Sequence, residues 1–165
     1  MSGVPSPAFD RLQPVPELYA TLPIDQAFDW DACADLGTEG EWYLVCFRSV
    51  RSADADERLL TELDDAAHDE AVSSPGFVHY FKGATTATRN CLSFCIWESR
   101  DAARAASARP LHRRATSVTS VMYASYRLEL YRLRKRAGSP HFEFEPYDGP
   151  NAVPTEHGRL DRTAA

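Results

Sequence analysis

The stretch EWYLVCFRSV, residues 41–50, constrains this chain more than any other. It is apolar on both faces of an extended strand for most of its length, so both faces of that strand must be covered. The chain therefore has to place a layer on each side of a sheet. Arg48 is the charge inside this run. If its face points inward it needs a partner, either a carboxylate on a neighbouring strand or a bound anion.

The segments that follow supply one such layer. DADERLLTELDDAAHDEA predicts a helix whose inner stripe is Leu59, Leu63, Ala66 and Ala67, with Leu60 and Glu70 at the margins. SSPG ends it. FVHYFKG, 77–83, is a second strand and CLSFCIW, 91–97, a third. The polar ATTATRN between them makes an antiparallel hairpin. Ser99 is an N-cap, and the helix it starts runs to about Ala108. Pro110 then either kinks this helix or begins a new segment at N1. Leu111, Ala115, Val118 and Met122 form a stripe beyond it. YRLELYRLRK, 126–135, is the fourth strand. The order β-α-β-β-α-β is the ferredoxin-like pattern of an α+β fold with an antiparallel four-stranded sheet.

Three regions result. Residues 1–40 read as an N-terminal arm. Five prolines fall in its first 24 residues, and a short helix is expected over IDQAFDWDACADLG, with Phe28, Ala32 and Leu36 on one face. Residues 41–136 form the ferredoxin-like domain. Residues 137–165 are an extension in which Phe142 and Phe144 alternate with charges. That pattern fits an added edge strand or an arm on a partner. The part beyond Pro150 is expected to be disordered.

A chain of 165 residues with 44% hydrophobic and 25% charged residues suits one globular domain. No apolar run is long enough to span a bilayer, and the N-terminus lacks a basic start and an apolar core, so a cytoplasmic protein is expected. Cys33, Cys46, Cys91 and Cys95 show no metal-ligand spacing and read as free, buried thiols. No metal site is expected. Net charge is −11 over residues 1–98, +8 over 99–136 and −3 beyond. An acidic helix beside a basic one explains this better than nucleic-acid binding, since no nucleic-acid motif accompanies the charge.

The corner FCIWESRDAARAASARPLHRRA, in the context of this element order, resembles the antibiotic biosynthesis monooxygenase-like group of the dimeric α/β barrel superfamily. Trp97, Glu98 and Ser99 match its aromatic corner. Pro110 and His112 match its Pro-x-His bend. The resemblance covers roughly residues 41–135. It implies a homodimer in which two four-stranded sheets form a barrel with helices outside. The first strand would then face helices on one side and the barrel interior on the other. It also implies a pocket between sheet and helices in each subunit. Members of the group oxidise aromatic polyketides or quinols without a cofactor, degrade haem, act as isomerases, or have no known activity. The haem-binding His of the haem-degrading members would fall near Ala115–Thr116, and their second Trp is missing. No cofactor is therefore expected here, and haem is the weaker alternative.

The leading reading is an oxygenase-type enzyme acting on a small aromatic or quinol-like molecule. A ligand-binding or assembly protein of the same fold is the alternative. His79, read as sharing a strand face with Phe77 and Phe81, is the candidate base, because loss of a phenolic proton prepares a ring to pass an electron to oxygen. His112 is the second catalytic candidate, as a general base or as a haem ligand reached by one turn of slippage, although bracing the Pro110 bend would also explain it. Trp97, Arg48 and Tyr123 are candidate substrate contacts, each with a packing or pairing role as the plainer reading. His68 reads as a solvated surface residue.

Overall fold

The computed structural model describes Pro7 and residues 9–147. Five strands form one antiparallel sheet: β1 (Gly40–Arg51), β2 (Phe77–Phe81), β3 (Asn90–Trp97), β4 (Tyr123–Lys135) and β5 (Phe142–Pro146). Their spatial order is β2-β3-β1-β4-β5. The first four make the ferredoxin-like sheet. β5 adds an edge strand to β4, with Leu133 opposite Phe144. That register puts Phe142 and Phe144 on the same side as Leu133, where apolar surface waits to be covered. The expected disorder beyond Pro150 lies outside the described residues.

Helices cover one side of the sheet. α1 (Ile24–Ala27) belongs to the arm. α2 (Glu57–Val72) follows β1, and α3 (Arg100–Ser107), α4 (Pro110–Ser117) and α5 (Thr119–Met122) join β3 to β4. Asp56 caps α2 by accepting from the Leu59 amide at 3.0 Å. Ser99 caps α3 by accepting from the Ala102 amide at 3.1 Å. Pro110 begins a new helix, where its missing N–H costs nothing. Gly76, at φ +81°, makes the turn before β2; a Cβ there would stand 2.6 Å from Ala102, so this turn and α3 can pack only with glycine.

The other side of the sheet is covered by the chain's own N-terminal segment. Phe9, Leu12, Tyr19, Ile24, Phe28, Trp30 and Cys33 pack on Leu44, Cys46, Leu92, Phe94 and Ile96. Trp30 donates its indole N–H to Ile24 O at 2.7 Å and packs against Phe94 and Phe144. The face that the resemblance assigned to a barrel interior is therefore filled from within the chain. The helix expected over residues 24–37 is replaced by α1 and a separate 3₁₀ turn at Trp30–Cys33. Phe28 is extended between them and bridges Pro14. Of the expected stripe only Phe28 is buried, and Leu36 is 60% exposed.

The stripe on α2 is rotated from its expected position. On α2 the inward residues are Leu60, Leu63, Ala67 and Ala71, with Glu70 buried. The cause is Glu70. Its carboxylate accepts from the amides of Leu111 at 3.3 Å and His112 at 3.0 Å, and so caps α4 from a neighbouring helix. Beyond Pro110 the expected stripe holds at Ala115, Val118 and Met122 but not at its start: Leu111 is 38% exposed, and His112 lines the cavity beside Ala115. Arg109 completes the corner by donating to Glu70 O, Ser73 Oγ and Ser74 Oγ.

Candidate functional site

Between the sheet and the layer of α2, α4 and α5 lies a cavity of about 150 Å³. Phe47, Leu60, Leu63, Ala67 and Trp97 give it apolar walls, while His68, Tyr80, His112, Tyr123 and Tyr126 bring polar tips. The positions follow from strand alternation. Odd-numbered residues of β1 and β3 point to the helices, so Phe47 and Trp97 share one face. On β4 a register shift opposite Val50 and Arg51 adds a residue, so Tyr123 and Tyr126, three apart, both reach the cavity, with ring centroids 5.4 Å apart.

Three of the five expected site residues meet here: Trp97, His112 and Tyr123. Trp97 is buried and donates its indole N–H to Cys95 Sγ at 3.0 Å. The backbone of His112 is held by Glu70, as described above, which leaves its ring directed to the cavity. Burial lowers the pKa of His112 below the usual imidazole value, and the Glu70 carboxylate acts in the opposite sense. The ring is therefore neutral at neutral pH and can accept a proton. Burial likewise pushes the phenol pKa of Tyr123 up.

The other two lie elsewhere. His79 is separated from this cavity by the sheet. An irregularity between Phe77 and His79 sets both residues against single partners, Trp97 and Ile96, which leaves Val78 as the extra residue. Phe77 therefore faces the helices, whereas His79 faces the arm with Phe81. The His79 ring packs against Phe9 and Phe94 at centroid distances of 6.2 and 6.1 Å. Its expected sharing of a face with Phe77 does not occur.

Arg48 also points to the arm side. Its Nε is 2.7 Å from Glu129 Oε1, and its two terminal nitrogens donate to Ala20 O at 2.9 Å and Leu22 O at 2.6 Å. Of the two partners expected for Arg48, a neighbouring-strand carboxylate or a bound anion, the structure shows the first: Glu129, which also contacts Arg127 and accepts from the Tyr131 hydroxyl at 3.2 Å. This cluster borders an open cleft of about 600 Å³ edged by residues 20–23. The Arg48 guanidinium is fully engaged, through Nε with Glu129 on β4 and through its two terminal nitrogens with the arm.

The cavity also contains His68, which is not the solvated surface residue expected, and groups for which no role was expected. His68 is half-buried, with its ring 4.6 Å from that of Tyr80. The Tyr80 hydroxyl donates to Asp64 Oδ1 at 2.9 Å. Burial, reinforced by Asp64, raises the Tyr80 pKa far above the usual phenol value. Lys82 pairs with Asp64 at 3.1 Å and Asp65 at 2.9 Å. The signal for His68 was present: Leu60, Leu63, Asp64, Ala67, His68 and Ala71 form one continuous helical stripe. It was overlooked because the leucine at 59 suggested a neighbouring stripe.

A family model described as PB2B2.08-like matches residues 4–146, so the match runs from the arm through the sheet to the end of β5. The chain belongs to the PB2B2.08-like family. Within it, the UPF0643 protein PB2B2.08 of Schizosaccharomyces pombe is 28% identical over 144 residues, covering 77% of this chain. The chain spans 66% of that relative's length. Among solved structures, a protein from Shewanella oneidensis superposes with a TM-score of 0.51 at 12% identity, covering 58% of this chain and 94% of its own. A Nitrosomonas europaea protein assigned as an antibiotic biosynthesis monooxygenase gives 0.50 at 13% identity, covering 56% and 89%. The likeness to antibiotic biosynthesis monooxygenase-like proteins therefore holds at the level of the fold. No helix among the described residues is long and apolar enough to cross a membrane.

Proposed function

We propose that the chain binds a small single-ring aromatic or quinol-like molecule in the cavity between sheet and helices, and that His112 removes a proton from it as the first step of an oxygenase-type reaction. The observation that carries this reading is a neutral, half-buried imidazole on the wall of an aromatic-lined cavity. A cavity near 150 Å³ holds about one six-membered ring with small substituents. Polycyclic molecules are too large for it, and so is a haem macrocycle, whose implied ligand position at Ala115–Thr116 offers no imidazole. His112, one turn away, is the imidazole that a haem would use, so the argument against haem is the size of the cavity.

In the reaction considered, His112 accepts the phenolic proton. The electron-rich phenolate then reduces molecular oxygen. A phenol with a free para C–H and one O₂ give a para-quinone and one water; one oxygen atom enters the ring and the other leaves in the water. Trp97 and Tyr123 would orient the ring and keep solvent out.

Oxygen uptake by the purified protein with a simple phenol that keeps its para C–H tests this. The expected result is ligand-dependent uptake, reduced about a hundredfold or more in His112→Gln, the usual worth of a general base. Saturable binding with no uptake in any such compound would make the chain a binding protein, and no binding at all would remove the site.

A further inference from the structure

Arg51 ends β1 beside Tyr123 and turns its side chain into the wall of the same cavity. That side chain is 17% exposed, and one terminal nitrogen contacts Glu57, whose own side chain is 57% exposed at the rim. Three buried side-chain polar atoms among the described residues lack a hydrogen-bond partner: Arg51 Nε, Asp64 Oδ2 and Arg132 Nε. Asp64 Oδ2 has Lys82 Nζ at 3.1 Å, and Arg132 Nε has Glu41 at 3.0 Å. Arg51 Nε has no hydrogen-bond partner, while a terminal nitrogen of the same guanidinium pairs with Glu57.

An unused donor on a buried guanidinium is costly, and native structures rarely keep one without a use. A guanidinium cannot lose its charge to relieve that cost. Its counter-charge, Glu57, sits in solvent, which weakens the pair. The group that satisfies Arg51 best is an anionic oxygen within the cavity, since charge-assisted hydrogen bonds are about twice as strong as neutral ones.

Resting on the single-ring reading above, we infer that the ligand is an aromatic acid: a one-ring molecule whose carboxylate accepts from Arg51 Nε while its ring lies among Phe47, Trp97 and Tyr123. The volume leaves room for a ring, a carboxylate and one hydroxyl, and for little else. The carboxylate sets the orientation of the ring and separates this ligand class from neutral phenols and quinols of equal size.

Isothermal titration of the full chain with 3-hydroxybenzoate and with 3-hydroxybenzyl alcohol, its neutral counterpart, is the test; both keep the C–H para to the hydroxyl. The acid should bind about ten- to a hundredfold more tightly. Arg51→Met, checked for folding by circular dichroism, should bring the acid to the level of the alcohol, and Arg58→Met, outside the cavity on the exposed face of α2, should leave the preference intact. Equal affinities in the unmodified chain overturn the inference without needing any variant. A preference that survives Arg51→Met, or is lost equally in Arg58→Met, also overturns it. If the alcohol binds as well as the acid, the cavity reading stands and the inference about Arg51 falls. If neither binds, both fall together.

Discussion

His79 and His112 lie on opposite sides of one sheet: the first packs on Phe9 and Phe94 of the arm layer, the second faces the cavity under α2 and α4. Two residues that a strand-and-helix reading could group in one site are thereby separated by the sheet backbone. His79→Phe should leave ligand binding and turnover unchanged, while His112→Gln should abolish turnover with folding intact. Parallel measurement of oxygen uptake and thermal unfolding in the two variants checks this. Equal losses in both would contradict the placement.

Both imidazoles carry a sign for pH. Burial is the first cause of a lowered pKa in each, opposed by Asp10 and assisted by His68 at His79, and opposed by Glu70 at His112. The unfolded chain, with histidines near 6.5, binds the extra protons first as pH falls. Stability from these groups is therefore fully present above that value and is lost as pH drops through it towards the lower folded values. Urea unfolding at pH 7.5 and pH 5 should give the smaller free energy at pH 5. The double variant His79→Phe/His112→Gln should flatten that difference.

Glu70 couples the corner to the candidate base. In Glu70→Gln the Leu111 and His112 amides lose a charged acceptor, at a cost of about 1 kcal/mol, typical of a lost helix cap. Because Glu70 raises the His112 pKa against the effect of burial, the variant should titrate lower still. NMR titration of the His112 ring reads this directly, and an upward shift would sink the account.

The arm is core, not decoration. Trp30 is 3% exposed and packs its ring on Phe94, Phe142 and Phe144. Trp30→Ala should cost about 3–5 kcal/mol in urea unfolding, as large aromatic truncations do. Deletion of residues 1–34 should uncover Leu44, Leu92 and Phe94 and drive self-association through that face. Light scattering of the intact and shortened chains separates a buried face from an exposed one.

Arg48 and Glu129 are mutual partners with side chains 12% and 9% exposed. Arg48→Met leaves Glu129 buried with only Arg127 and Tyr131, and frees the carbonyls of Ala20 and Leu22. A loss of about 3 kcal/mol is expected. Arg48→Met/Glu129→Leu should lose less than the single variant, because no unpaired buried carboxylate remains. A double variant weaker than the single one would show that the tether to the arm outweighs the ion pair.

Strand and helix order was legible in the chain because it depends on local signals. The unbroken apolar run of β1 demanded a cover on each face, the ATTATRN turn fixed a hairpin, Ser99 marked a helix start, and Pro110 marked a restart. Arg48 even announced its need for a carboxylate on a neighbouring strand. What covers the second face of β1 was not legible. Residues 9–34 contain no long periodic element, and their aromatics find positions only against the finished sheet. The same holds for the site. The extra residue in β2 that sends His79 to the arm, the shift in β4 that turns Tyr123 and Tyr126 the same way, and the rotation of α2 towards Glu70 are each set by pairing with a distant segment. A single-residue slip in a strand exchanges its two faces, so periodicity alone could propose His79 and His112 together while only the assembled sheet could place them apart.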